Sequence, residues 1–366
     1  MIPVSQPALS ELEIEYVTDA LRSGWVSSLG SYIDAFEKGF AEFCGTKYAI
    51  SVCNGTVGLH LALKVLGVGE GDEVIVPDLT FVATANAVVA AHAKPIMVDV
   101  CRDTYCIDPA AITDKITQKT RAIIPVHLYG HPANMPEVME IARKHKLFVI
   151  EDAAEAHGAS INGVRVGAFG NCGVFSFYGN KIITSGEGGM ITTNDLEFYT
   201  RARLLRDHAM SKELRYWHTD IGYNYRMTNL QAALGLAQLK QIDAFLEYRK
   251  SLLVLYRKKL EPHGIKCNPS TNSDPVNWMF CAVVDRLNRR KRDLVIEFMR
   301  ELNVDSRPFF YPISMLPMYI HSNNPVAYKI SECGFNLPTF VGMTEDQVSD
   351  TCSAFLSSLS KVDGMS

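Results

Sequence analysis

The stretch Tyr48-Ala-Ile-Ser-Val-Cys53-Asn54-Gly55-Thr56-Val-Gly-Leu-His-Leu-Ala-Leu-Lys-Val-Leu66-Gly67 changes character halfway. Tyr48–Cys53 is a short apolar run, suited to a buried strand. Thr56–Leu66 has a helical pattern and stops at Gly67, a natural residue to follow a helix. The same unit recurs on both sides. Upstream, Ile33–Gly45 carries Phe36, Phe40 and Phe43 at spacings of four and three, as an amphipathic helix does. Downstream, Glu73–Val76 is a strand closed by Pro77, Phe81–Ala93 an alanine-rich helix, and Met135–His145 another helix. Further strands are expected at Pro95–Val100, Arg121–His127, Leu147–Glu151, Gly173–Phe177 and Gly189–Thr193. Strands alternating with helices predict an α/β fold with a mainly parallel sheet covered on both faces.

After about residue 228 the pattern changes. Thr228–Leu260 reads as one long helical stretch, and shorter mixed elements follow around Phe280–Val284 and Asp293–Leu302. The 366 residues suit two domains better than one core. The expectation is a large α/β domain over residues 1–230 and a smaller α+β domain over 231–366, with the first 20 or so residues packing against either.

Composition excludes several classes of function. The chain is 47% hydrophobic and 21% charged with a net charge of −4, and its lysines and arginines form no cluster that would face a nucleic acid. Met1-Ile2-Pro3-Val4-Ser5 lacks the basic start and apolar run of a signal peptide. No stretch approaches the roughly 18 apolar residues that span a bilayer. The nine cysteines are scattered, and none forms a C-x-x-C pair. They argue against a metal or redox site and for buried thiols in a cytoplasmic protein.

In an open parallel sheet, ligands bind beyond the carboxyl ends of the strands. There the sequence places Asn54-Gly55-Thr56, the loop ending in Phe81, His127, Asp152 and Ser176, with Lys181 five residues on. Their convergence on one rim carries more weight than any one of them. A helix N-terminus after Asn54-Gly55 offers free N–H groups to a phosphate, although such turns open many helices merely as caps. Gly67-Val-Gly-Glu-Gly71 resembles a dinucleotide loop, but a strand follows it rather than a helix, which rules that reading out. Asp152 at a strand end needs a cationic partner, which could be a protonated pyridine nitrogen or an arginine. Phe81 suits a stacking role or the core. Ser176 would point opposite to Phe175 and Phe177, toward a phosphate or a polar layer. A lysine in a glycine-rich loop is usually solvated. Lys181, however, lies between a buried-strand serine and an Ile-Ile pair, and a desolvated amine there would have the lowered pKa that favours Schiff-base chemistry.

Three pieces carry a resemblance that runs nearly end to end: Ser176-Phe-Tyr-Gly-Asn-Lys181-Ile-Ile-Thr-Ser-Gly-Glu-Gly-Gly189, Glu151-Asp152-Ala-Ala-Glu155-Ala-His-Gly158 and Tyr223-Asn224-Tyr225-Arg226-Met227-Thr228-Asn229. In these the chain resembles the sugar-nucleotide aminotransferases of the DegT/DnrJ/EryC1/StrS family, within the fold-type I enzymes that use pyridoxal 5'-phosphate (PLP). The resemblance implies that Lys181 bonds to the cofactor and shuttles the proton, and that Asp152 pairs with the pyridine nitrogen. It places Glu155, where many relatives have glutamine, near the phenolic oxygen. Gly55, Thr56 and Ser176 would hold the phosphate, Phe81 would stack on the ring, and Asn224 would reach the phosphate of a neighbouring subunit in a homodimer.

The loop after the lysine looks like that of members that aminate C4 of the sugar. Ser23-Gly-Trp25-Val-Ser27-Ser28, Arg215-Tyr-Trp-His218 and Ser306-Arg307-Pro-Phe-Phe-Tyr311-Pro312 look most like members acting on GDP-4-keto-6-deoxymannose with L-glutamate as donor. Trp25, Ser27, Arg307 and Tyr311 are thereby candidate substrate residues. Ser314 stands where many relatives have histidine. A UDP- or dTDP-linked 4-keto sugar is the alternative substrate. A PLP-dependent sugar dehydratase is the alternative reaction, though the resemblance implies that such relatives replace the lysine with histidine.

Overall fold

The computed structural model describes residues 1–269 and 271–365. Helices α1 (Glu11–Arg22) and α2 (Ser31–Cys44) precede the first strand–helix unit, β1 (Tyr48–Val52) and α3 (Gly55–Val65). Next come β2 (Glu73–Pro77), α4 (Ala83–Ala90), β3 (Lys94–Val98), α5 (Pro109–Lys115), β4 (Thr120–Ile123), α6 (Met135–His145) and β5 (Phe148–Asp152). A small hairpin, β6 (Ser160–Ile161) and β7 (Val164–Arg165), leads to β8 (Cys172–Ser176), β9 (Gly189–Thr193) and α7 (Leu196–Arg206). The remainder is α8 (Asn229–Leu239), α9 (Ile242–Leu260), β10 (Ser273–Asp274), β11 (Phe280–Val283), α10 (Arg289–Glu301), β12 (Arg307–Pro308), α11 (Pro325–Cys333), β13 (Gly334–Leu337) and α12 (Glu345–Asp363).

Seven strands form one sheet in the order β1-β9-β8-β5-β4-β2-β3. Neighbours are parallel except at β9, which is antiparallel to both β1 and β8. Six strands therefore end on one edge, and β9 begins there. The alternation of side chains along each strand feeds two cores. In β8, Phe175 joins Phe36 and Phe40 of α2 on one face, while Cys172 and Val174 join α3 and α7 on the other. Phe40 meets Phe175 and Phe177 edge-on at 4.9 and 5.3 Å, a geometry worth roughly 0.5–1.5 kcal/mol per pair beyond burial. That packing fixes the strand end from which the lysine loop departs. A second, three-stranded sheet, β11-β13-β12, lies in the C-terminal part, where α10 packs on α12. Residues 2–4 bind to that part: Ile2 bridges Val304, and Thr339 N–H donates to Val4 O at 3.0 Å.

The helix expected over Thr228–Leu260 is two helices. No glycine or proline breaks it between Leu239 and Ile242. Instead the side-chain amides of Gln238 and Gln241 both donate to Glu13 Oε1, at 2.7 and 2.6 Å, and the chain turns around that buried carboxylate. Such a long-range contact leaves no trace in local periodicity. Several boundaries also move, two of them at the rim. The helix expected from Phe81 starts at Ala83, leaving Phe81 in the loop, and the strand expected to run to His127 ends at Ile123.

Candidate active site

The strand-end residues border a cavity of about 600 Å³ on the sheet edge where the six strands end. Gly55, Thr56, Phe81, Asp152, Glu155, Ser176 and Lys181 all line it. The first and last of them, Gly55 and Lys181, are 126 residues apart in sequence, and the strand ends of one sheet bring the set together.

At one end, α3 begins. Asn54 Oδ1 accepts the N–H of Val57 at 3.0 Å and Asn54 O that of Gly58, which leaves the N–H groups of Gly55 and Thr56 at the open helix end. Ser176 ends β8 directly against this turn: a Cβ at Gly55 would stand 3.0 Å from the Ser176 Cβ. A methyl group there would force Ser176 or the turn to give by a few tenths of an ångström, so glycine favours the close approach, and the result is a cradle of two N–H groups and a hydroxyl at a positive helix end. It suits a phosphate.

At the other end sit three ionisable groups. Asp152 accepts from the Thr84 hydroxyl at 2.7 Å and from Ala154 N–H at 3.2 Å. Among the described residues no cation lies within ion-pair distance of it, and burial pushes its carboxyl above the usual range. A buried carboxylate facing a cavity without a cation fits the protonated nitrogen of a pyridine ring. Glu155 accepts from Tyr129 N–H at 2.8 Å, and its other oxygen lies 3.6 Å from Lys181 Nζ. Burial raises the Glu155 carboxyl, opposed by that amine. Burial also lowers the Lys181 amine, opposed by Glu155 and Asp152. Lys181 Nζ lies 3.9 Å from the centre of the Trp278 ring, whose Nε1–H donates to Asn180 O at 2.7 Å. The amine is therefore desolvated and aimed, which favours its uncharged, nucleophilic form. Cradle, ring carboxylate and amine together fit PLP.

Trp278 and Phe310 also line the cavity, Phe310 5.6 Å from Phe81 between ring centres. Neither was legible beforehand, because both come from the C-terminal part and look like ordinary core residues. His127, expected on the rim, turns away. Its Nδ1 accepts Ala133 N–H at 3.0 Å, so Nε2 carries the proton and donates to Glu151 at 3.1 Å, fully buried. It holds the turn beneath the site and cannot reach the cavity.

The remaining candidates lie outside the cavity lining of this chain. Asn224 is exposed, and its backbone bridges Asp207. Trp25 and Ser27 are exposed on a loop held by Asn229, which donates to both their carbonyl oxygens. Arg307 pairs with Asp305 at 3.0 Å, and Tyr311 lies beside the guanidinium groups of Arg289 and Arg292. Ser314 is buried and turned to Asp78.

The DegT/DnrJ/EryC1/StrS aminotransferase family matches residues 7–356. The chain is 45% identical to the GDP-perosamine synthase of Caulobacter vibrioides over 353 residues, 95% of each chain. It is 44% identical to the GDP-perosamine synthase of Escherichia coli O157:H7, over 96% of each. Its structure superposes on the PLP form of Spr1654 from Streptococcus pneumoniae with a TM-score of 0.94, at 27% identity and 99% coverage of both chains. The architecture is that of the fold-type I PLP enzymes, as the sequence led one to expect.

Proposed function

This chain belongs to the DegT/DnrJ/EryC1/StrS aminotransferase family, and from that premise we propose that it moves an amino group from L-glutamate to C4 of GDP-4-keto-6-deoxymannose, forming GDP-perosamine. It is an enzyme of the aminotransferase class, and its cofactor is PLP. The observation that carries the proposal is the placement of Lys181, Asp152 and the Gly55–Ser176 cradle on one cavity, in a chain whose relatives at 44–45% identity are GDP-perosamine synthases.

When bound, PLP supplies an aldehyde that captures amines and a ring that withdraws electrons from the carbon being deprotonated. The protein's own groups do the rest. Gly55 and Thr56 N–H and the Ser176 hydroxyl would hold the phosphate, Asp152 would keep the ring nitrogen protonated, and Phe81 would cover the ring. In each half of the reaction the Lys181 amine would take a proton from one carbon and deliver it to the other, in opposite directions for glutamate and sugar, and its lowered pKa suits both. Glu155 and Trp278 hold that amine from two sides.

The working unit in this reading is a homodimer with shared sites. Asn224 reaches the phosphate of the partner's cofactor, and Trp25, Ser27, Arg307 and Tyr311 contact the nucleotide sugar. Support comes from large apolar side chains exposed on the same segments: Trp25 is 56% exposed, Trp217 61% and Ile221 83%. The two-domain division near residue 230 belongs to the same reading. So does a cytoplasmic location, supported by nine free cysteines. Among the described residues, no helix is long and apolar enough to cross a membrane.

The test is a panel of GDP-, UDP- and dTDP-linked 4-keto sugars with PLP and 15N-glutamate, read by mass spectrometry. A labelled amine on the GDP-linked sugar is expected. Labelling of only a UDP- or dTDP-linked sugar would refute the substrate. Loss of a hydroxyl without gain of label would instead favour the dehydratase.

A further inference from the structure

Outside the reacting groups, one buried carboxylate joins the two parts of the chain behind the cavity wall. Asp78 follows β2 and is fully buried. Its backbone N–H donates to Val98 O at 2.9 Å, which fixes it to the sheet. All three side-chain hydrogen bonds that it accepts come from more than 200 residues away. Ser314 N–H donates to Oδ1 at 2.7 Å, and the Ser314 hydroxyl to Oδ2 at 2.7 Å. The Asn324 side-chain amide donates to Oδ2 at 2.8 Å. Even the backbone carbonyl of Asp78 accepts Ile313 N–H at 2.7 Å.

The Ser314 hydroxyl also lies 2.8 Å from that of Tyr328, which in turn reaches His321 Nε2 at 3.2 Å and the carbonyl of Ser322. Asp78 thus ties both ends of segment 313–324 to one turn. Two, three and six residues beyond Asp78 are Thr80, Phe81 and Thr84, all on the cavity wall, and Thr84 in turn holds Asp152. Three residues before Ile313 is Phe310, which packs against Phe81 on the cavity wall. The segment runs on along α4, where the Tyr319 hydroxyl donates to Asn86 at 2.6 Å. It leaves Met318 and Ile320 exposed.

We infer that Asp78 is a positioning residue for the sugar half of the reaction: through Ser314 and Asn324 it holds segment 313–324 as a brace behind Phe81 and Phe310, the wall on the outer side of the cavity where the nucleotide sugar docks. No cation lies within ion-pair distance of Asp78 among the described residues, so its charge is balanced by hydrogen bonds to that segment. Hydrogen bonds to a buried carboxylate are among the stronger ones, and losing a donor or the acceptor frees the segment while leaving Lys181, Glu155 and the phosphate cradle untouched. Glutamate, a small donor, works at the Lys181 end. The bulky nucleotide sugar needs the outer wall. This inference rests on the aminotransferase reading above, with a nucleotide-linked keto sugar as the acceptor.

The test uses PLP-loaded enzyme with Asp78→Ala and Ser314→Ala. Three readouts are taken: KM for the keto sugar that the wild type accepts, the rate of the glutamate half-reaction followed by cofactor absorbance, and hydrogen exchange of residues 313–324. Loss of one hydrogen bond to a charged group predicts a rise in sugar KM of roughly tenfold in Ser314→Ala. The glutamate half-reaction should stay within about twofold of wild type, a spread of only a few tenths of a kcal/mol, and exchange in the segment should quicken. If Asp78→Ala does not fold, Ser314→Ala carries the test alone. An unchanged sugar KM in folded variants, or an equal fall in both half-reactions, overturns the inference. A wild type that aminates no keto sugar overturns the proposed function instead, so the two failures are distinct.

Discussion

Asp152→Asn removes one charge from the cavity while leaving its shape and most of its hydrogen bonds. The Thr84 hydroxyl, now a donor at 2.7 Å, can turn and accept from the new amide, and Ala154 N–H keeps an oxygen to bind. Two opposite effects follow. Burial raises the Asp152 carboxyl above its usual range, so the folded, cofactor-free chain holds this proton more tightly than the unfolded chain does. Stability therefore falls as pH rises past roughly 3.9, where the unfolded group ionises, and what is lost stays lost at neutral pH. Asparagine carries no such cost. At pH 7 the cofactor-free variant should melt at or above the wild-type temperature.

With PLP present the sign reverses. Removing one partner from a buried charge pair costs about 3–5 kcal/mol, and cofactor retention should drop by roughly two to four powers of ten. Calorimetry with and without PLP, together with absorbance after dialysis, measures both arms. If the cofactor-free variant melted clearly below wild type while retaining PLP equally well, the assignment of Asp152 would be refuted.

Gly55→Ala should weaken PLP binding with little effect on the cofactor-free melting temperature, because the new methyl group meets Ser176 at 3.0 Å inside the proposed phosphate cradle. Equilibrium dialysis against PLP reads it, and unchanged affinity would move the phosphate elsewhere. His157, packed among Phe40, Phe175 and Phe177 and donating to Ser176 O at 2.9 Å, is held down to a pKa of about 3 by burial, with the nearby Lys181 adding to the shift. The unfolded chain takes up this proton near pH 6.5 and the folded chain does not, so stability should fall as pH drops below about 6.5. Unfolding midpoints in urea from pH 7.5 to 5 should show that decline, and His157→Gln should make it shallower, with His131, also held down by burial, supplying part of what remains. An equal slope in the variant would assign the decline to other groups.

The alternation of strands and helices was legible because each unit carries its own period and its own stop, as at Gly67 and Pro77. The rim was legible for the same reason: once β1, β2, β5 and β8 are placed, Gly55, Phe81, Asp152 and Ser176 follow by counting. What escaped depends on contacts between distant segments. The break between α8 and α9 is made by Glu13, more than 200 residues upstream. Trp278 and Phe310 reach the cavity only because the C-terminal part folds over the sheet edge, and the apolar sequences around them look like core. His127 sits at the right strand end, yet its ring is spent on Glu151 and Ala133, a choice of rotamer that no linear pattern encodes. Ser314 is similar, its hydroxyl committed to Asp78.

The most direct measurement traps the lysine. PLP-loaded enzyme is reduced with sodium borohydride, digested and sequenced by mass spectrometry. A phosphopyridoxyl group on Lys181, absent after preincubation with excess glutamate and absent from Lys181→Ala, is the predicted result. Label on another lysine, or undiminished label in the alanine variant, would contradict it.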